Sequence, residues 1–236
     1  MKILAFLITF NLMLSAGILE DIDRKLTPVS AAMYKKLINI EPDGSKKEFL
    51  IFQAKKDKDK MVSLFLEPDS DKGRATLRLG DNMWLYIPNV GRPIRITSMQ
   101  SVVGGVFNNA DIMKLDFSTE YDVIKTEDKK KFLLLELKAK NDTVSYDKLL
   151  MQVDKKTMTP IQIECYTSTK MLIKTLYYKK LKDFGDEIIR PSVIETDSPM
   201  YKGFKSIMIY GKITPKKFVD ESFTLDNLEK ASDLRR

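Results

Sequence analysis

The chain has 236 residues, 43% of them hydrophobic, and carries 40 lysines and arginines against 33 aspartates and glutamates, a formal charge of +7. That length suffices for one sizeable core; the single cysteine excludes an internal disulfide, and the absence of histidine removes Ser-His and Cys-His nucleophilic sites together with the commonest metal ligand. The basic excess is dispersed in mixed-sign clusters such as residues 54–60 and 127–132, the pattern of solvated turns, and no basic, aromatic-interleaved nucleic-acid motif is present.

In chain order, the first element is MKILAFLITFNLMLSAG. One lysine, an apolar run and the small residues Ser15, Ala16 and Gly17 give the layout of a secretory leader cleaved after Gly17, with an uncleaved anchor as the alternative. The mature chain, residues 18–236, is then expected as one exported domain, periplasmic or equivalent. ILEDIDRKL follows, with Ile18, Leu19, Ile22 and Leu26 at helical spacing and Thr27-Pro28 as the stop. From about residue 30 to 213 the pattern changes to strand-sized runs divided by Gly, Asp, Lys and Pro turns, among them EFLIFQA, MVSLFLEP, NMWLYIP, KFLLLELKA, IQIECYT and KSIMIYGKI. The short connections favour hairpins, so the chain reads as mainly β, with one large antiparallel sheet. Residues 98–117 break the pattern: Gly104 and Gly105 permit a sharp turn, and Asn109 is placed to cap a short helix. No Gly-Lys-Ser/Thr follows these glycines, so they are no phosphate loop, and no metal or cofactor motif is found. Ile161, Ile163 and Cys165 share one strand face, which reads Cys165 as a buried, inert thiol. The tail, SFTLDNLEKASDLRR, reads as a last short strand or a frayed end.

A half-buried antiparallel strand alternates apolar and polar residues. Several here do not: Phe49 and Ile51 oppose Leu50 and Phe52, and Met83, Leu85 and Ile87 oppose Trp84 and Tyr86. Both faces of these strands therefore need cover, or one lines a cavity for an apolar ligand. The candidate lining is Phe49, Ile51, Leu64, Leu66, Trp84 and Tyr86, favoured for its tryptophan and tyrosine; the alternative is Leu50, Phe52, Phe65, Met83, Leu85 and Ile87. An acyl chain of about 14 carbons would gain roughly 11 kcal/mol gross there, at about 0.8 kcal/mol per methylene. An interior filled by its own side chains is the competing expectation. Catalysis finds little support, because the carboxylates fall mostly at strand ends and none stands in an obvious apolar pocket.

The leader, FLEPDSDKGRATLRLGDNMWLYIPNVGRPIRIT (residues 65–97), SVVGGVFNNADI and the hairpin DKKTMTPIQIECY together resemble the LolA-like family of outer-membrane lipoprotein-sorting proteins, in the superfamily that includes LolB and RseB-type domains. The resemblance covers almost the whole mature chain. It implies a curved sheet forming an incomplete antiparallel barrel, closed by short helices around a cavity for lipoprotein acyl chains or lipid. It implies a periplasmic, non-enzymatic carrier that meets an inner-membrane transporter and an outer-membrane acceptor; an RseB-like sensor regulating a membrane partner is the alternative. The family's latch arginine falls among Arg74, Arg78, Arg92 and Arg95, of which Arg95, between Ile94 and Ile96, is the candidate for the cavity mouth.

Overall fold

The computed structural model describes residues 17–114 and 116–236. The expected leader, residues 1–17, lies outside the described residues except for Gly17. Residues 17–26 form α1, whose Leu19, Ile22 and Leu26 are buried on one side. The helix ends where the residue before Pro28 is forced out of helical geometry, its last turn closed by the Thr27 amide donating to the Asp23 carbonyl (3.0 Å).

Six strands follow: β1 (Ala31–Ile40), β2 (Lys46–Lys56), β3 (Lys60–Glu67), β4 (Ala75–Leu79), β5 (Asn82–Tyr86) and β6 (Ile94–Ile96). After a crossover holding α2 (Asn109–Ile112) and α3 (Phe117–Glu120), seven more complete the chain. They are β7 (Tyr121–Asp128), β8 (Phe132–Ala139), β9 (Lys148–Asp154), β10 (Pro160–Tyr166), β11 (Leu172–Asp183), β12 (Ile189–Asp197) and β13 (Lys205–Pro215). All belong to one antiparallel sheet in the order β6-β5-β4-β3-β2-β1-β13-β12-β11-β10-β9-β8-β7. Each neighbouring pair is a hairpin except β1–β13, which joins the two ends of the sequence in the middle of the sheet. The sheet does not close, so the expected incomplete barrel is what forms. One edge is blunted by the brevity of three-residue β6 and the other by the charges of β7.

Because β6 and β7 lie on opposite edges, the crossover must traverse the sheet, and it does so over one face. Val102, Phe107, Ile112, Met113 and Phe117 join α1 in covering inward residues from Met33 and Ile51 to Leu137 and Ile163. The cap of α2 is Asn108, one residue before the expected Asn109. Its side chain accepts from the Asp111 amide while Asp111 accepts from the Asn108 amide, each at 3.0 Å; Asn109 instead donates to the Thr97 carbonyl at 2.9 Å. α3 takes its cap from far away, the Asp23 carboxylate of α1 accepting from the Phe117 and Ser118 amides at 2.7 and 2.8 Å.

Among the described residues the other face is covered over β1–β5, where Phe52, Val62, Leu64, Leu77 and Tyr86 pack against Phe223, Leu228, Ala231 and Leu234, with Ala32 and Tyr34 of β1 at the margin. The tail that supplies these residues is neither strand nor frayed end. It forms the 3-10 segments Asp220–Ser222 and Leu228–Arg235, and its buried residues recur every third position, the 3-10 period. This is why β2, β3 and β5 lack alternation while β9 and β10, bare on their outer face, keep it.

Candidate functional site

The site is the space between the inner sheet face and its cover of α1 and the crossover. Inward positions on the strands are not all apolar. Lys35 falls in phase with Met33 and Leu37, Gln53 and Lys55 with Ile51, and Lys174 with Leu176 and Tyr178, and all four are buried. Each reaches the cover. Lys35 and Gln53 bond one another, and both approach the Ile112 carbonyl, at 3.5 and 2.9 Å. Lys55 pairs with Asp116 at 2.5 Å, and Lys174 with Asp111 at 2.8 Å and with the Val106 carbonyl at 2.5 Å. Arg78 donates to the Met113 carbonyl (2.9 Å) and to Glu120 (2.5 Å), while Arg190 bonds the Leu26 carbonyl at the end of α1. The cover is thus fastened by cationic and amide side chains rising from five strands as well as by apolar contact.

Between these fastenings runs a narrow cleft with about 40 Å³ of free space, so side chains fill most of it; its apolar wall includes Met33, Met61, Leu176 and Met208 and its floor carries Lys35, Tyr210 and Arg190. A small apolar cavity with about 30 Å³ of free space adjoins it, lined by Phe117, Tyr121, Leu149, Ile163 and Cys165; Lys114, Leu176 and Tyr178 line both. Electrostatics in the cleft follow from burial. Desolvation lowers the Lys35 and Lys114 ammonium groups and raises the Asp23 carboxyl, the latter against the pull of Lys114 and the Ser118 amide. Burial pushes the Tyr210 hydroxyl up, but Lys35 and Arg190 outweigh it and bring it down to about 7. Burial also pushes the Cys165 thiol well up, which leaves it an inert wall group.

The seven residues singled out from sequence are not brought together. Phe49 and Ile51 belong to the inner core, Phe49 in edge contact with Phe65 (centroids 5.8 Å). Leu64, Leu66, Trp84 and Tyr86 lie on the opposite face, under or beside the C-terminal segment. The pairings Ile51↔Phe65 and Phe52↔Leu64 in β2–β3, with Leu77↔Trp84 and Ala75↔Tyr86 in β4–β5, fix this. The favoured set joined odd positions of β2 to even positions of β3 and β5, and the alternative set was mixed in the same way. The inward residues are Phe49, Ile51, Phe65 and Met83. Arg95 is exposed and bonds Asn82, Arg92 is exposed and Arg74 faces Phe65; the inward, buried arginine is Arg78, which holds the cover. The cleft floor is charged where the candidate lining was mainly aliphatic and aromatic, and Ile112 and Leu26 of the cover stand in the cleft wall. Missed entirely were Lys35, Lys174 and Arg190, although a lysine in the apolar phase of a strand was a visible signal.

No group of histidine, cysteine, aspartate or glutamate among the described residues is arranged to hold a metal ion, and none of the described helices is long and apolar enough to cross a membrane. An open antiparallel sheet with a helical strap from edge to edge is the architecture of solved structures that the chain resembles. A LolA superfamily protein from Nitrosomonas europaea is similar at 26% identity, with 90% of this chain and 98% of that one covered and a TM-score of 0.80. A domain described as an outer membrane lipoprotein-sorting protein from Vibrio parahaemolyticus follows at 18% identity, 91% and 98% coverage and 0.77. A DUF1329 family protein from Desulfovibrio piger shares the fold at 18% identity, 92% and 98% coverage and 0.78. Among curated proteins none matches. Over residues 57–230 the chain matches a family model described as "Uncharacterized protein". It belongs to that family and has the LolA-like fold.

Proposed function

We propose that this chain is an exported, periplasmic carrier that holds the acyl chains of lipoproteins or lipids between the inner sheet face and its cover. It takes them from an inner-membrane transporter and delivers them to an outer-membrane acceptor. In this reading residues 1–17 are the export leader and residues 18–236 a single carrier domain without catalytic chemistry.

The observation that carries the reading is the cover itself. α1 and the crossover lay Leu26, Phe107 and Ile112 along a cleft that runs into an apolar cavity, and polar bonds from the strands hold them there. Lifting the cover returns those polar groups to water, where they find new partners, and exposes an apolar face that an acyl chain re-covers at about 0.8 kcal/mol per methylene. Cover residues and ligand thus alternate over the same surface. A solved LolA superfamily structure and a domain described as lipoprotein-sorting share the fold and support this reading.

Leu176, on the wall common to both cavities, tests it. Leu176→Trp fills the passage, and the affinity for a fluorescent fatty-acyl probe is expected to fall tenfold or more while circular dichroism and cooperative melting persist. An unchanged affinity in the folded variant would contradict the proposal.

A further inference from the structure

The inward cations of the sheet divide into two groups. Lys55, Lys174 and Arg78 each face a carboxylate, Asp116, Asp111 and Glu120. Lys35 and Arg190 do not, although they are 4% and 2% exposed. They flank one ring: the Lys35 ammonium lies 4.7 Å and the Arg190 guanidinium 3.9 Å from the centroid of Tyr210. The carboxylates that share the cleft are engaged elsewhere, Asp23 on the α3 amides, Asp111 on Lys174 and Asp116 on Lys55. Arg190 donates through Nε to the Pro191 carbonyl and through Nη1 to the Leu26 carbonyl and the Thr27 hydroxyl, all uncharged acceptors, and it also bonds the Tyr210 hydroxyl. A buried guanidinium and a buried lysine amine with no carboxylate beside them are costly to hold charged unless an anion joins them. A guanidinium fork and an ammonium on one cleft floor are the donors that oxyanions bind best.

We propose that Lys35 and Arg190, beside Tyr210, form the seat for the oxyanion head of an amphiphile whose hydrocarbon tail lies in the adjoining apolar cavity. The assignment rests on the acyl-binding reading above and narrows its cargo to anionic lipids, with a phosphate diester or a carboxylate at the head. The positive field at the seat is also what draws the Tyr210 hydroxyl down to about 7, so the protein's own nearest source of negative charge is that phenol. A lipid head supplies the missing anion outright. Its tail has a path, because Leu176 and Tyr178 line both the charged cleft and the apolar cavity. A free inorganic anion gains nothing from that continuity.

The full mature chain, stripped of lipid, is titrated by native mass spectrometry with phosphatidylglycerol, oleate, diacylglycerol of the same chains, and inorganic phosphate. Phosphatidylglycerol or oleate is expected to bind at least tenfold more tightly than diacylglycerol, and Lys35→Met to remove that preference. Equal wild-type affinity for charged and uncharged lipids would overturn the seat and leave the acyl-binding reading intact. Failure of every lipid to bind would overturn both. Competition by inorganic phosphate as strong as that by phosphatidylglycerol would overturn the amphiphile in favour of a free anion. The wild-type comparison stands by itself if the variant does not fold.

Discussion

Arg78 is the residue on which the crossover most depends, since one guanidinium bonds the Met113 carbonyl, the Glu120 carboxylate and the Gly80 carbonyl at 2.9, 2.5 and 2.8 Å. Arg78→Met keeps a linear apolar stem and removes the guanidinium partner of buried Glu120, and denaturant unfolding is expected to register a loss of about 3–5 kcal/mol. Tyr210 gives a signature of a different kind. Unfolding returns its hydroxyl to its ordinary value of about 10, so between about 7 and 10 the folded chain binds fewer protons than the unfolded one. The stabilisation is therefore complete above the unfolded value and is lost as pH falls through about 7. Desolvated Lys35 adds a slope of the same sign. Difference spectroscopy of the wild type against Tyr210→Phe is expected to show one tyrosine ionising near neutrality, and the stability gain over that window is expected to shrink in the variant. A wild type in which no tyrosine ionises near neutrality would contradict the charged floor. Trp84 supplies the contrast: it lies on the outer face, so Trp84→Asp is expected to leave acyl affinity unchanged in the folded protein.

At the scale of elements, the C-terminal 3-10 segment and the crossover do different work on opposite faces. Leu228 is 1% exposed against the outer core, and Leu228→Ala is expected to cost about 2–5 kcal/mol in unfolding measurements without changing lipid binding. In the crossover, Gly105 sits against the side chain of Asn39, which bonds the Val103 carbonyl (3.3 Å) and the Ser206 hydroxyl (2.8 Å). A methyl group there collides with that bonded amide, and Gly105→Ala is expected to lower the melting temperature by loosening residues 101–106. The strands, the N-terminal helix and the break at residues 98–117 were legible because each is written in local periodicity and turn chemistry. The faces were not. Whether Leu64 shares a face with Ile51 is decided by the β2–β3 register, whose shift between Leu50 and Ile51 leaves Leu66 unpaired, and a bulge of that kind has no local sequence mark. The C-terminal cover carried a faint mark, Leu228, Ala231 and Leu234 at intervals of three, which neither a strand nor an α-helix reading recognises.

For the whole molecule, one sheet presents two unlike faces: an outer one sealed over β1–β5 by a short apolar tail, and an inner one closed by a strap that polar groups hold in place. Among the described residues β1–β13 is the strand pair that links distant parts of the sequence, so the two hairpin arms are joined at the centre and strapped together across the inner face. On the proposed function, that division leaves stability to the outer face and ligand exchange to the inner. The direct test is photo-crosslinking with a fatty acid that carries a diazirine midway along its chain, read out by peptide mapping. The account predicts labelled peptides from β9–β11 and from residues 98–120, on the two sides of the cleft. Labels confined to the outer face beneath residues 220–235, or no saturable labelling, would contradict it.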